Sequence, residues 1–379
     1  MKEKQKKKKK FLWQKYVYMA FCVLLGVACG GLMVTYMNSS GFEKTFREGI
    51  LSFFVLILTL YAALFVQIII HEAGHLVFGL LSGYKFSSFR VMSFMWVKEG
   101  GRIKFRRLTI AGTGGQCLMS PPELSDGKIP VVLYNFGGSL MNIIAGLVFL
   151  GLYFVFANVP ILSTVMIITA AIGFISAVMN GVPMRMGTVD NDGYNAVSLT
   201  RSCNAMRSFW VQMKINEQIS KGIRLKDMPD EWFDIPDDGD MKNSMVAAIG
   251  VFACNRLVDM HKFDEADKLM AHLLEIDSGM VDLHRNLMIC DRMYIELITE
   301  NRNEVIEEMV TKEQKKFMKS MKTFPSVLRT EYVYALLGEK DIAKAERIKA
   351  CFEKHAKKYP YPSEIQSERE LVEIAEKKA

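Results

Sequence analysis

At 379 residues, half of them hydrophobic and with a formal charge of +7, the chain is long enough for more than one domain. The charge is no basic face: residues 1–10 carry seven Lys and one Glu, so the other 369 residues sum to about +1, which excludes a nucleic-acid-binding surface. The seven cysteines are scattered and form no C-x-x-C pair, which excludes a disulfide framework and a cysteine-held zinc.

In chain order, residues 1–15 read as a basic cytoplasmic tail that also attracts anionic lipid. Residues 16–37 are uncharged and too long for a signal-peptide core, so they read as a retained first span. After a short loop, residues 50–70 form a second uncharged run, long enough to cross a bilayer as a helix. It runs without a break into His71-Glu72-Ala73-Gly74-His75. Two histidines four apart lie about 40° apart on a helix, so both rings project from one face. This is the zinc-binding arrangement H-E-x-x-H, with Glu72 beside the first ligand and available as general base.

Residues 84–128 carry eight Lys or Arg against three Asp or Glu, which puts this loop in the cytoplasm with the tail. Within it, residues 86–97 are aromatic and β-prone, Glu99-Gly100-Gly101 reads as a turn, and residues 102–106 alternate basic and apolar. That pattern predicts a small β-hairpin at the membrane surface. Its alternating strand is placed to take an unwound substrate segment as an added strand, with Ile103 and Phe105 toward the bilayer. The glycine-rich run Gly112-Thr113-Gly114-Gly115 lacks the Lys-Ser/Thr of a phosphate loop.

Residues 129–184 contain no charge, which suffices for two more spans, 129–156 and 160–182, broken at Asn158-Val159-Pro160. The third span carries Gly138 and Asn142; small residues allow close helix contact, and an amide in a span needs a partner. The fourth ends at Asn180-Gly181-Val182-Pro183, followed by Asp190-Asn191-Asp192-Gly193. Four crossings return these acids to the face that carries the histidines. A catalytic zinc takes three protein ligands and keeps one position for water, so a carboxylate from Asp190 or Asp192 completes the set. Either aspartate also suits a turn or a helix cap.

Together these residues resemble the site-2 protease family of intramembrane zinc metalloproteases, over residues 50–195. The likeness rests on His71-Glu72-Ala73-Gly74-His75 in a span, on Gly138 and Asn142 in the next, and on Asn180 and Pro183 ahead of Asp192-Gly193. It implies His71, His75 and Asp192 as zinc ligands, Glu72 as general base, and Gly138, Asn142, Asn180 and Pro183 as support for substrate or transition state. The family's spacing ahead of the Asp-Gly pair is shorter than the eight residues between Pro183 and Asp192 here, which keeps Asp190 as a rival ligand. Nothing between the spans is large enough for the PDZ domain that many members carry.

Residues 196–240 read as a connecting segment whose acidic, proline-containing part, 227–240, is a linker. Residues 241–379 read as an all-α, tetratricopeptide-like domain: 244–277 predict two amphipathic helices joined near His261-Lys262-Phe263, and Phe263-x-x-Ala266 and Ile342-x-x-Ala345 fit second helices of such repeats. Such arrays offer a protein partner a concave face. His261, His272, His284 and His355 show no ligand spacing.

The sequence therefore predicts an α-helical polytopic membrane protein of four spans with a small cytoplasmic β-hairpin and a soluble helical domain. Its expected activity is zinc-dependent cleavage in or near a membrane-embedded protein segment, a signal-peptide remnant or a pheromone precursor. Its N-terminus, active-site side and C-terminal domain are expected in the cytoplasm. The competing readings are an inactive membrane scaffold that recruits partners, which the intact Glu72 disfavours, and a membrane zinc protease of another family.

Overall fold

The computed structural model describes residues 46–110, 113–185 and 190–379. The expected tail and first span, 1–37, lie outside them. Among the described residues, three helices are long and apolar enough to cross a membrane: Phe54–Leu81, Val131–Val155 and Ile161–Gly181. They belong to α1 (Phe46–Leu81), α2 (Val131–Val155) and α3 (Pro160–Gly181). Side chains such as Leu58 and Tyr61 on α1 are 70% exposed, and an apolar helix with no polar stripe calls for lipid around it. α3 starts on Pro160, whose missing N–H costs nothing in a first turn.

The chain divides into two compact units. One takes residues up to Gly74 together with Gly138–Met184; the other takes His75–Gly137 and Arg185–Ala379. In the second unit, the expected hairpin is one half of a larger sheet. Strands β1 (Lys85–Val91), β2 (Phe94–Glu99), β3 (Arg102–Arg107) and β4 (Gly115–Ser120) form an antiparallel sheet in the order β3-β2-β1-β4. Two features hid it in the sequence. The first turn is made by Met92 at φ 54°, not by a glycine, and the glycine-rich run opens into β4 at Gly115. The second turn fits the reading: Gly100 and Gly101 both hold positive φ, as a two-residue hairpin loop requires.

The sheet has two unlike faces. Met95 and Val97 are buried against Leu108, Leu328, Phe352, Tyr359 and Ile365. Phe94, Trp96, Ile103 and Phe105 face outward and are exposed, with the Phe105 ring 5.8 Å from Trp96 and 6.1 Å from Phe94. β3 ends the strand order, so one of its edges is unpaired within the sheet. Glu99 pairs with Arg102 across the two-residue loop, and alternate residues beyond it bond inward. Lys104 therefore aims its N–H at β2, while Ile103 and Phe105 aim theirs at the open edge. The Arg107 N–H accordingly reaches away, to the Lys358 carbonyl at 3.4 Å.

The rest of the second unit is helical: α4 (Asp192–Arg201), α5 (Cys203–Ser220), α6 (Ser244–Asp259), α7 (Phe263–Glu275), α8 (Asp282–Ile298), α9 (Asn303–Met309), α10 (Lys312–Ser320), α11 (Pro325–Val333), α12 (Ile342–Ala356) and α13 (Pro362–Glu376). α6 and α7 are the two helices expected over 244–277, with His261 turning the chain at φ 59°. α4 and α5 fall where a connecting segment was expected, because Ala196, Leu199, Ala205 and Met206 give them a buried face. The acidic stretch 227–240 is not a loose linker: Met228, Phe233 and Met241 bury themselves and tie it down.

Candidate metal centre

The histidines stand in the last third of α1, which passes through the motif without a break. His71 makes its hydrogen bond within the first unit: its Nδ1 lies 2.8 Å from Asn142 Oδ1. The Asn142 amide cannot be turned around, because its Nδ2 donates to the Gln67 carbonyl at 3.0 Å and to Gln67 Oε1 at 2.8 Å. Gln67 Nε2 in turn donates to the Thr169 carbonyl at 2.9 Å. Asn142, Gln67 and Thr169 are buried, and both amides are hydrogen-bonded, which is the condition for keeping amides inside a span. Gly138 makes the room. A Cβ there would lie 2.4 Å from His71 Cε1, so any side chain would displace the ring.

His75 is held in the second unit. Its Nδ1 lies 2.8 Å from the Tyr134 carbonyl oxygen, and its ring packs 5.8 Å from that of Tyr134. Tyr134 is itself fixed, by its hydroxyl donating to the Cys117 carbonyl at 2.9 Å and by stacking on Tyr84 at 4.7 Å. Both histidines thus set Nδ1 against an oxygen of a neighbouring residue. These bonds set the direction of each ring.

On the other side of His75, Asp192 Oδ2 lies 3.3 Å from Nε2. Asp192 opens α4, whose N-cap Asn191 accepts from the Tyr194 N–H at 2.9 Å. Asp190 is engaged elsewhere. Its carboxylate pairs with Arg185 Nε at 3.3 Å and accepts from the Ser244 hydroxyl. Arg185 also donates to the Gly279 carbonyl at 2.8 Å. His71 stands one turn before His75 on α1, so the two rings project from one face of that helix. Two imidazoles and one carboxylate are a donor set that suits zinc. Glu72, between the two histidines, is buried at 7% exposure.

Two further residues singled out in the sequence lie at the end of α3. Asn180 donates to the Ser176 carbonyl one turn back in its own helix, at 3.0 Å, and Pro183 follows the end of α3. Three residues that hold the centre were not singled out. Gln67 carries a signal: it is the only amide in the uncharged run 50–70 and lies one turn before His71. Tyr134 acts through its backbone, and Arg185 through an ion pair that takes up Asp190; neither leaves a mark in a single sequence.

Compared with known proteins, the chain matches the model of peptidase family M50 over residues 59–338. No curated protein matches it. No solved structure matches it either.

Proposed function

Because the chain belongs to peptidase family M50, the site-2 protease family, whose members are intramembrane metalloproteases, we propose that it cleaves peptide bonds in or near membrane-spanning segments of protein substrates, signal-peptide remnants or pheromone precursors. In this reading His71, His75 and Asp192 hold one zinc ion and Glu72 is the general base. The observation that carries it is the pair of anchored imidazoles, His71 Nδ1 at 2.8 Å from Asn142 Oδ1 and His75 Nδ1 at 2.8 Å from the Tyr134 carbonyl, with Asp192 Oδ2 3.3 Å from His75 Nε2.

When bound, zinc supplies a Lewis acid and a water of lowered pKa. The protein's own groups do the rest. Glu72 takes the proton from the attacking water and returns it to the leaving amine. Asn142 and Tyr134 keep the imidazoles from turning, so the ligand lone pairs need no reorganisation when substrate arrives. Asp190 is spent on Arg185 and Ser244, which supports Asp192 as the third ligand.

A substrate helix must unwind before its carbonyl is reachable, and its freed N–H and C=O groups then need partners. The open edge of β3 offers them through Ile103 and Phe105. The same reading makes the protein multi-pass, with its N-terminus, the β-sheet and everything after residue 184 on the cytoplasmic side, and gives the C-terminal helical domain to a protein partner.

Purified chain should contain about one zinc per molecule. His71→Ala, His75→Ala and Asp192→Ala should each lose most of it, and Asp190→Ala should keep it. Glu72→Gln should keep zinc and lose cleavage of a membrane-helix substrate. An inactive scaffold predicts no cleavage by the unaltered chain; zinc retained in the doubly substituted histidine variant would remove the ligand assignment.

A further inference from the structure

Apart from the metal centre, the second unit encloses a cavity of about 490 Å³, within the size range of small-ligand sites. Most of its wall is apolar, from residues such as Phe209, Met213, Leu287 and Met288. Its charged lining is uneven: the carboxylates of Asp259, Asp291, Glu364 and Glu368 outnumber the guanidinium groups of Arg224 and Arg329. Two of the four are already matched. Arg224 Nη2 lies 2.6 Å from Asp259, and Arg329 Nη2 lies 2.5 Å from Asp291. Glu364 accepts only a neutral donor, the Tyr359 hydroxyl at 2.7 Å. Glu368 Oε2 sits 3.3 Å from Arg329 Nε, but neither atom makes a hydrogen bond.

Arg329 points to a missing partner of its own. Its side chain is fully buried on the cavity wall, over the Tyr294 ring at 4.5 Å, and its Nη1 has no acceptor among the described residues. A buried donor and a buried carboxylate left in this state are costly unless something else pairs with them.

We propose that this cavity binds an aliphatic cation on an apolar body, a lysine-type ammonium or a guanidinium, held by Glu364 and Glu368. A peptide meets every demand of the wall: its basic side chain reaches the two glutamates, a main-chain carbonyl serves Arg329 Nη1, and neighbouring apolar side chains fill the remainder. A free diamine meets the charge alone. Glu364 and Glu368 stand one turn apart on α13, so both can approach one cation. His284, which also lines the cavity, does not compete with that cation, because burial lowers its pKa to about 4 and keeps it neutral. Burial raises both glutamates to about 7, so binding a cation must expel protons and strengthen as pH rises through that value.

The test is calorimetric binding of N-acetyl-Leu-Lys-Leu-amide, its Gln counterpart and agmatine to the full chain in detergent. The lysine peptide should bind at least about tenfold more tightly than the glutamine peptide, a difference of about 1.4 kcal/mol. That preference should weaken from pH 8 to pH 6 and vanish in the Glu364→Gln/Glu368→Gln variant. Agmatine binding as tightly as the lysine peptide assigns the site to free amines, and binding of the peptide alone assigns it to peptides; both uphold the cation site. Equal binding of the two peptides, or no binding of either cation, overturns it. If the double variant fails to fold, the Lys/Gln and pH comparisons on the unaltered chain decide. Neither zinc nor cleavage enters the readout, so the result stands apart from the fate of the protease reading.

Discussion

The side chain on which the proposed metal centre turns most sharply is Asn142. It spends its whole amide on two neighbours: Oδ1 on His71 Nδ1, and Nδ2 on both the carbonyl and the side chain of Gln67. Asn142→Ala removes the partner of His71 Nδ1 and the donor to Gln67 Oε1. Loss of a partner that orients a ligand lowers metal affinity about 10–100-fold. Zinc competition with a chelator should show that loss while expression stays near normal. Gly138→Ala should match or exceed it, because the added methyl would sit 2.4 Å from His71 Cε1, with Nδ1 and Nε2 both at 2.6 Å. Unchanged zinc affinity in both variants would mean that His71 does not bind the metal in this orientation.

At the scale of elements, β3 separates two outcomes that composition alone cannot. Its register gives Ile103 an N–H toward the open edge and Lys104 an N–H toward β2. Proline removes the donor in either case. Ile103→Pro should leave the sheet and the zinc content intact and abolish cleavage of a membrane-helix substrate. Lys104→Pro should break the β2–β3 ladder, with lower expression and earlier proteolysis of the loop. Full cleavage by the Ile103→Pro protein would discard strand addition and leave the metal centre untouched. The exposed row Phe94, Trp96, Ile103 and Phe105 on the same sheet is an apolar patch that a water-facing strand would not carry, and it suits the interface of a bilayer.

Over the whole molecule, the helical domain carries a pH signature. Glu364 and Glu368 ionise at about 7 when folded, because burial opposes their charge, against a model-peptide value of 4.5. The folded state therefore holds protons that the unfolded chain releases between those values. The stability these groups contribute is complete below about pH 4.5 and is lost as pH rises to about 7. Each proton's share is at most about 1.4 kcal/mol per pH unit. Glu364→Gln, which cannot ionise, should gain thermal stability over the unaltered chain as pH goes from 5 to 8. Carboxylates held down by cations, such as Glu353 beside Arg369 and Glu370 beside Arg224, pull the other way. They act equally in both proteins and cancel in the difference. An unfolding midpoint difference that is the same at pH 5 and pH 8 would place Glu364 in water.

The sequence by itself determined the family, three helices of bilayer length, the spacing of the two histidines and the pair of helices after residue 244. All of these are written in local patterns: uncharged runs of bilayer length, His71 and His75 one turn apart, apolar residues at helical spacing. Only the tertiary structure decided what those patterns meet. It distinguished Asp192, beside His75, from Asp190, beside Arg185, because ion pairing depends on where the chain folds back and not on the spacing from Pro183. It also turned a hairpin into a four-stranded sheet, since β4 pairs with β1 across an intervening hairpin and its glycine-rich start reads locally as a loop. Gln67, Tyr134 and the cavity around Glu364 and Glu368 belong to the same class. Each is defined by a hydrogen bond or an enclosure between segments far apart in the chain, which no periodicity records.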